Sequence, residues 1–464
     1  MSERKQFRAI KGTRDILPPD SGLWNWFEQS ARDTFESYNF REIRLPIFED
    51  TELFARSIGG ETDVVSKEMY TFFDPPIDVE ELSKFVSAEG PNKYLPAANT
   101  ILRGSTGRIS DLLPRDIISL RPEATASVCR AYIEHGMHTL PGNVKLYYVG
   151  PMFRRERPQK GRYRQFYQIG AEVLGPSDAP AIDAELLEML LVFFHRVGLT
   201  RTTLQLNSIG DKNCRPQYVE LLRAELRKVS AQLGPDSQRR IETNPLRVLD
   251  SKIPEEQPII EKLPQIADHL CADCRAHFAK LKEELALRKI SFEENWRLVR
   301  GLDYYTRTTF EVTAAGLGSQ NAVCGGGRYD GLVELLGGPP TKGIGFAIGS
   351  DRSILSIQEG GEAPKLAGLS VFVAWLGQAA YPTAVRITRK LRDAGLSVEL
   401  PAEEMKFKKS LGLADKLGAR YALILGEDEV ASSLFTLKRL SDSDQQKMNE
   451  NDLLEFLESE RRRV

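Results

Sequence analysis

Two apolar strands joined by a strongly basic loop constrain the fold more than any other part of the sequence. The stretch from Gly150 to Gly175 reads GPMFRRERPQKGRYRQFYQIGAEVLG. The Pro and Gly of RPQKGR indicate a loop between the two strands, and this loop carries six basic residues and one acid between Arg154 and Arg164. Guanidinium groups bind oxyanions in a bidentate manner, so the loop indicates a phosphate-binding site. A solvated basic hairpin is the alternative.

The second of these strands supports the binding interpretation. Gln168 and Glu172 are four positions apart, and alternation along a strand places them on one face of the sheet. An amide and a carboxylate beside a cationic loop are typical of the floor of a ligand site. We therefore expect a polar ligand to lie between the loop and this strand.

Glu123 and Thr125 form a second candidate in the segment SLRPEATASVCRAY. They follow a proline and precede an amphipathic helix. Taken alone, this pattern favours a capping role at the start of the helix over a ligand contact, since carboxylates and hydroxyls accept hydrogen bonds from free backbone N–H groups there.

Gly343, Gly345 and Gly349 alternate along the apolar strand GIGFAIGSDR, which ends at Arg352. Their spacing is not that of the dinucleotide-binding fingerprint, and the sequence contains no phosphate-binding GxxxxGK[ST] loop. Glycines on one face of a strand leave room for a flat ligand close to the backbone. Tight packing of the backbone is the alternative.

The segment RGLDYYTRTTFEV, from Arg300 to Val312, has strand-forming residues but also an unusual set of polar ones. Arg300 is a fixed cation, and Tyr304 and Tyr305 offer two phenolic hydroxyls near Asp303. Such a set can bind an anion together with a polar ring. A strand with one exposed face is the alternative.

The cysteines do not predict a metal centre. Cys271, Cys274 and His277 lie in CADCRAHF, but a second pair of ligands at the usual spacing is missing. Leu270, Cys274 and Leu281 recur at helical spacing, so we interpret these cysteines as packing residues and expect no zinc. The five cysteines are odd in number and scattered, which indicates a reducing compartment without a disulfide framework.

Composition divides the chain of 464 residues into several parts. Residues 211–291 are rich in helix formers and predict a helical insertion, which separates residues 1–210 from residues 292–357. Residues 358–368 form a predicted linker, and residues 369–464 alternate strand and helix in the manner of a small α/β domain. The net charge of −2 does not indicate nucleic-acid binding by the chain as a whole. No apolar run suits a membrane span or a secretion signal, so we expect a cytoplasmic protein.

Several segments together resemble one enzyme family. FRRERPQKGRYRQFYQIGAEVLG resembles motif 2 of class II aminoacyl-tRNA synthetases, GIGFAIGSDR resembles motif 3, and FREIRLPIFEDTELF resembles motif 1. RGLDYYTRTTFEV is similar to a segment particular to histidyl-tRNA synthetases, and KGTRDILP and LRPEATA fit the same family. The resemblance runs from Lys11 into the C-terminal α/β module, in the order that the family shows.

The resemblance implies an α+β fold. Residues 1–210 and 292–357 would form a catalytic domain with an antiparallel sheet flanked by helices, and residues 369–464 would form an α/β anticodon-binding domain. The implied activity joins L-histidine to ATP to give histidyl-adenylate, then transfers histidine to the 3′ end of tRNA(His). The family also implies Mg²⁺ bound with ATP, and a homodimer.

Residue roles follow from the same resemblance. The implied ATP-binding residues are Arg154, Glu156, Arg162, Tyr163, Phe166 and Arg352, with Phe166 stacked on adenine and Arg352 on the other face of the base. The implied histidine-binding residues are Glu123, Thr125, Arg154, Gln168, Glu172, Arg300, Tyr304 and Tyr305, with Glu172 and Tyr305 reading the imidazole. Arg154 and Arg300 would be the catalytic pair, on opposite sides of the α-phosphate.

Three departures from the family pattern stand out. Ala124 replaces the usual glycine, Asp351 replaces the usual glutamate, and the stretch at about 74–115 is longer than the family norm. Two other functions are compatible with parts of the sequence. One is a regulatory relative that senses histidine, but that class usually lacks both the Arg300–Val312 segment and the anticodon-binding domain. The other is an RNA-binding protein with an inactive catalytic fold, which would not need Glu172, Arg300 and Tyr305 together.

Overall fold

The computed structural model describes residues 6–60, 62–74, 116–314, 321–360, 363–364 and 368–462. The long stretch expected at 74–115 lies outside the described residues except for its first residue, and so does part of the expected linker at 358–368. The chain divides into two compact units, Met1–Ala363 and Pro364–Val464. No helix in these described ranges is long and apolar enough to cross a membrane.

The first unit is built on a large sheet. The described strands of the first unit are β1 (Arg41–Glu42), β2 (Phe48–Asp50), β3 (Tyr70–Asp74), β4 (Asp116–Leu120), β5 (Val144–Phe153), β6 (Gln165–Gly175), β7 (Thr202–Ser208), β8 (Glu293–Glu294), β9 (Thr306–Ala314), β10 (Ala322–Arg328) and β11 (Lys342–Gly349). Within the described part, the sheet has the order β1-β5-β6-β11-β10-β9-β7-β8, and β2, β4 and β3 form a small separate sheet. The strands of the large sheet pair antiparallel except at its two edges, β1 with β5 and β7 with β8.

Helices pack against this sheet. In the described ranges of the first unit they are α1 (Asp20–Ser37), α2 (Thr51–Ile58), α3 (Thr125–Glu134), α4 (Pro180–Arg196), α5 (Arg215–Lys228), α6 (Pro235–Thr243), α7 (Gln257–Ile260), α8 (Ala272–Leu287), α9 (Leu332–Leu335) and α10 (Ser350–Gly360). The core between α1, α4 and the sheet contains Phe27, Phe35, Phe193 and Phe346. Their rings meet edge to face at 5.1–5.8 Å, a favoured geometry for aromatic pairs. The predicted antiparallel sheet flanked by helices is confirmed.

The strand–basic loop–strand prediction is also confirmed. β5 and β6 pair antiparallel from Val144 opposite Leu174 to Phe153 opposite Gln165, and the basic loop connects them. This pairing brings the end of β5 beside the start of β6, so the loop begins and finishes at the same end of these two strands.

The residues between β7 and β8 are helical, as the composition predicts, and comprise α5 to α8. Helix α8 turns Phe278, Leu281 and Leu285 into the core that also contains α4. The predicted packing residues Leu270 and Cys274 are buried as well. The helical segment is therefore anchored to the sheet domain through an apolar face of α8.

The second unit has a sheet of its own. Its strands are β12 (Val371–Trp375), β13 (Val398–Glu399), β14 (Tyr421–Leu425), β15 (Phe435–Arg439) and β16 (Gln445–Met448), and its helices are α11 (Tyr381–Asp393), α12 (Phe407–Lys416), α13 (Glu427–Ser432) and α14 (Glu450–Arg462). β12 pairs parallel with β13 and β14, whereas β14, β15 and β16 pair antiparallel. This is the partly parallel α/β sheet that the alternation of strand and helix predicts.

Candidate active site

A cavity of about 420 Å³ opens on the large sheet of the first unit. Its volume lies in the range typical of small-molecule sites. It brings together nearly all of the residues singled out in the sequence, namely Glu123, Thr125, Arg154, Glu156, Arg162, Tyr163, Phe166, Gln168, Arg300, Tyr304, Tyr305 and Arg352. These residues come from four separate segments of the chain, so the fold joins them into one site.

Glu172 lies behind the wall of this cavity. Its carboxylate is almost fully buried, and it accepts hydrogen bonds from the Thr125 hydroxyl at 2.7 Å and the Tyr329 hydroxyl at 2.6 Å. Burial raises the pKa of Glu172 to about 8, and these two hydrogen bonds oppose the rise. In this structure Glu172 therefore faces the cavity through two hydroxyl groups.

The glycines of β11 make room for protein side chains. A Cβ atom on Gly345 would lie 1.6 Å from Oε2 of Glu172, and one on Gly343 would lie 2.2 Å from the Tyr329 ring. Protein side chains therefore fill the space beside Gly343 and Gly345, as the packing alternative predicts, although Gly345 also lines the cavity. At Gly349 a Cβ would meet only the Val323 carbonyl oxygen, at 3.9 Å, and Gly349 lines the cavity.

Glu123 both caps a helix and lines the cavity. Its two carboxylate oxygens accept from the backbone N–H groups of Thr125 and Ala126 at 2.7 and 3.0 Å, at the start of α3. Burial raises the pKa of Glu123, although these backbone hydrogen bonds oppose the rise. The capping alternative is confirmed, and it also fixes the carboxylate in position beside the ligand space.

Three tyrosines form one wall of the cavity. The ring of Tyr304 lies 4.7 Å from that of Tyr305 and 5.8 Å from that of Tyr329, measured between centroids. Tyr329 follows β10 in the sequence GRYDGL and was not singled out above, since a lone tyrosine beside glycines carries no functional signal. Its position beside Gly343 and its hydrogen bond to Glu172 become visible only in the fold.

Several buried polar atoms in the cavity wall lack a partner. Among the described residues, Oε1 of Gln168, the hydroxyl of Tyr148 and Nε of Arg300 make no hydrogen bond. All three residues line the cavity. Buried polar groups are nearly always satisfied in native proteins, so these atoms indicate that a polar ligand completes the site.

Arg300 is fixed between two strands. Its guanidinium donates to Oε2 of Glu311 at 2.6 Å, and a Cβ on Gly325 would lie 2.0 Å from its Nη2 atom. The glycine in β10 therefore leaves the space that the guanidinium fills. Glu311 lies within RGLDYYTRTTFEV, but its strand position gave no sign that it would meet Arg300.

Three arginines create a cationic end of the cavity. Glu156 lies 3.3 Å from Arg162 and 3.8 Å from Arg154, and Nε of Arg154 donates to the Pro122 carbonyl oxygen at 2.9 Å. Burial lowers the pKa of Arg352, and the nearby charge of Arg162 lowers it further. The mutual repulsion of these cations would be relieved by a polyanionic ligand.

The aromatic residues at this end have cationic neighbours. The guanidinium of Arg154 lies over the Phe166 ring at 5.4 Å. Arg352, expected on the other side of a base stacked on Phe166, donates to the backbone carbonyl of Ala322 at 3.1 Å. Phe166 lines the cavity, and aromatic rings favour stacking with a flat aromatic ligand.

Asp351 has a definite structural role. It accepts from Nη2 of Arg14 at 2.7 Å and from the backbone N–H of Tyr167 at 2.9 Å. Arg14 also lies over the Tyr163 ring at 4.2 Å and donates to its hydroxyl at 3.0 Å. The aspartate therefore links the N-terminal KGTRDILP segment to the cavity wall, although the sequence pattern usually has glutamate there.

Asp303 belongs to the support of the site. Its carboxylate accepts from the Asn244 amide at 3.1 Å, and its backbone N–H donates to the Ile58 carbonyl at 3.2 Å. Asp303 therefore connects the tyrosine segment to the helical insertion and to the end of α2.

Comparisons with known proteins agree with this geometry. The sequence model of the family described as "Histidyl-tRNA synthetase" matches residues 89–210 and 220–352, and that of the "Anticodon binding domain" matches residues 370–460. A histidine–tRNA ligase of Koribacter versatilis is 50% identical over 97% of this chain and 96% of its own length. One from Solibacter usitatus is 49% identical over 97% and 99%.

Solved structures give the same result. The apo histidyl-tRNA synthetase of S. aureus superposes with a TM-score of 0.75 at 33% identity, covering 98% of this chain and 100% of that one. A protein from Bacillus halodurans described as an ATP phosphoribosyltransferase regulatory subunit/histidyl-tRNA synthetase has a TM-score of 0.60 at 18% identity, covering 92% and 100%, which shows a shared fold alone. The family match and the full-length relatives agree, and the chain belongs to the histidyl-tRNA synthetase family.

Proposed function

We propose that this protein is a histidine–tRNA ligase, which activates L-histidine with ATP and transfers it to the 3′ end of tRNA(His). The observation that carries the proposal is one cavity with two chemically different ends. One end holds Arg154, Arg162 and Arg352, and the other holds tyrosyl hydroxyls and buried carboxylates. Arg300 lines the same cavity. An amino acid and a nucleotide can therefore meet in it.

The end with the tyrosyl hydroxyls and buried carboxylates suits histidine. Glu123, Thr125 and Gln168 are proposed to bind its α-amino and carboxylate groups, since the unpartnered Oε1 of Gln168 accepts a hydrogen bond from an ammonium group. Tyr304 and Tyr305 are proposed to lie against the ring. Glu172 acts on the ring through Thr125 and Tyr329, or directly if those hydroxyls turn toward the ligand.

The cationic end suits ATP. Arg162 and Arg352 are proposed to hold the outer phosphates, with Glu156 and Tyr163 near the base. Phe166 offers its ring face to adenine. One carboxylate, Glu156, is paired with both Arg154 and Arg162. The positive charge of the three arginines therefore exceeds the negative charge paired with them, and phosphate groups can balance it.

Adenylation joins the histidine carboxylate to the α-phosphorus and releases pyrophosphate. The attacking oxygen is already ionised, so no general base is needed. Two anions must meet while negative charge builds on the phosphate oxygens. Arg154 and Arg300 are proposed to flank that phosphate and stabilise its charge, and their fixed positions mean that little reorganisation is required.

Mg²⁺ is proposed to bind with ATP. Three carboxylates in the cavity wall are paired with a cation: Glu311 with Arg300 at 2.6 Å, Asp351 with Arg14 at 2.7 Å, and Glu156 with Arg162 at 3.3 Å. This arrangement fits an ion that would be held mainly by phosphate oxygens, with Glu156 and Glu311 as the candidate protein ligands. When bound, the ion neutralises charge on the phosphates.

The second unit is proposed to bind the anticodon. It carries as many basic as acidic residues from position 367 onward, so local groups must make the contact. Lys406, Lys408 and Lys409 are placed at the start of α12 and can meet phosphates or unstacked bases. On the basis of the family alone, a cytoplasmic homodimer is also proposed.

ATP–pyrophosphate exchange with each of the twenty amino acids tests the proposal. We expect exchange with histidine and little with the others. Exchange that is absent with histidine, or equal with several amino acids, would contradict it. Charging of tRNA(His) against a tRNA of another specificity then tests the second step.

A further inference from the structure

A second cluster of reactive side chains lies outside the cavity, at the start of the helical insertion and the start of α8. Asp211, Cys214, Cys271 and Cys274 each offer one ligand atom, and these four atoms all lie within 4.8 Å of one another. In the sequence, Cys271 and Cys274 have no second pair of cysteine or histidine ligands at the usual spacing. Asp211 and Cys214, three positions apart, supply a second pair from the start of the insertion.

The geometry of the cluster matches a tetrahedral metal site. Zinc bound to thiolates at about 2.3 Å requires sulfur atoms about 3.8 Å apart. One Asp211 oxygen lies 3.6 Å from Sγ of Cys214 and 3.9 Å from Sγ of Cys271. Closure onto an ion therefore needs only small rotations of the side chains.

The cluster lies where two helices begin. Cys214 immediately precedes α5, and Cys271 and Cys274 lie at the start of α8, where helix dipoles stabilise negative charge. The backbone N–H of Asp211 also points at Sγ of Cys214, at 3.5 Å. Gly210 has a left-handed φ of +67°, and a Cβ there would lie 2.8 Å from that sulfur.

Simple packing does not explain the arrangement. Cys214 and Cys274 are buried, as core cysteines often are, but an apolar core would not include the carboxylate of Asp211. Arg307 lies 3.7 Å from the other oxygen of that carboxylate. Three thiolates, one carboxylate and a divalent ion carry a net negative charge, which this guanidinium partly offsets.

We propose that Asp211, Cys214, Cys271 and Cys274 bind one structural Zn²⁺, which joins the start of the helical insertion, next to the end of β7, to the start of α8. Sulfur-rich tetrahedral ligation selects zinc over magnesium or calcium, and the four protein ligands leave no open position for catalysis. The ion constrains the insertion, and the thiols release their protons to water as it binds.

Metal analysis of the full chain tests this. Protein without an affinity tag, purified under reducing conditions from zinc-supplemented cells, is expected to hold about one zinc per chain. The double variant Cys271→Ser/Cys274→Ser should hold less than about a tenth of that. The matched control is Cys129→Ala, a buried cysteine outside the cluster, which should keep its zinc.

Two further measurements use the wild-type protein and so do not require the double variant to fold. Cobalt substitution of the wild type should give the intense visible bands of tetrahedral thiolate ligation. A chelator should lower the melting temperature of the wild type by several degrees, because it removes an ion that binds only the folded state. Wild-type protein without zinc, a weak octahedral cobalt spectrum, or recovery of these cysteines as a disulfide would each overturn the site.

Discussion

Arg300 and Glu311 form an ion pair of 2.6 Å between the first residue and the last residue but one of the Arg300–Val312 segment. Glu311 pairs with Gly325 across β9 and β10, and the missing side chain of that glycine leaves the space in which the guanidinium lies. The acid thus fixes the orientation of the cation, while Nε of Arg300 has no partner among the described residues. The guanidinium is held in place before any ligand arrives.

Replacement of Arg300 by alanine should abolish adenylation while histidine still binds. The charge that stabilises the reacting phosphate is lost, and removal of such a group costs roughly 10²–10³-fold in rate. Single-turnover formation of histidyl-adenylate measures the rate, and calorimetry measures histidine affinity. The control is Arg288→Ala, which removes an arginine that pairs with Glu284 and Glu188 and is not among the residues that line the cavity. An adenylation rate near that of the wild type would refute the role of Arg300.

Glu172→Gln should remove the selectivity for histidine. The side chain of Glu172 accepts from the hydroxyls of Thr125 and Tyr329, and glutamine replaces one of its two oxygens with an NH₂ group that can only donate. Discrimination against other amino acids should fall by roughly 10²-fold or more, since sites built on hydrogen bonds reject analogues strongly. Exchange rates with all twenty amino acids measure this.

Glu294→Gln is the matched control for that experiment. Glu294 is exposed and pairs with Lys282 in the insertion, so its replacement should leave selectivity unchanged. Discrimination by Glu172→Gln equal to that of this control would rule out a role of Glu172 in reading the ring.

The sequence predicts contacts within an element better than contacts between elements. The hairpin of β5 and β6 was predictable because its turn residues and apolar strands are adjacent in the chain. The same alternation placed Gln168 and Glu172 on one strand face, but it could not show that Glu172 would lie behind Thr125 and Tyr329. Those hydroxyls come from segments far away in the sequence.

The same limit explains what sequence reasoning missed. Tyr329 and Glu311 were overlooked because their partners are defined by strand pairing and by the absence of a side chain on Gly343 and Gly325. Asp211 was overlooked as a partner of Cys271 because helices α5 to α7 separate the two residues in the chain. Periodicity correctly predicted that Cys274 is buried, and it gave no information on what lies beside the sulfur.

Glu172 should make the stability of the protein depend on pH. Its pKa in the folded state is raised to about 8 from 4.5, so the folded protein holds a proton that the unfolded chain releases. The stability that this proton contributes is fully present below the unfolded pKa and is lost as pH rises through about 8. The wild type should therefore lose several kcal/mol relative to Glu172→Gln between about pH 5 and about pH 9.

Urea denaturation of both proteins across that range measures the difference. Other titrating groups are shared by the two chains, so their effects cancel in the comparison. A difference in the free energy of unfolding that stays constant with pH would show that Glu172 is ionised in the folded protein at neutral pH.

Gly345→Ala tests whether the glycines of β11 serve the packing of the site. A Cβ at this position would lie 1.6 Å from Oε2 of Glu172, and both groups are buried, so the carboxylate must leave its two hydroxyl partners. The expected cost is about 1–3 kcal/mol in the free energy of unfolding, together with weaker selectivity for histidine. Gly349→Ala is the matched control for stability, because its Cβ would meet only a carbonyl oxygen at 3.9 Å. Equal stability of the two variants in urea denaturation would mean that Glu172 can move without cost, and the site would then owe its selectivity to other groups.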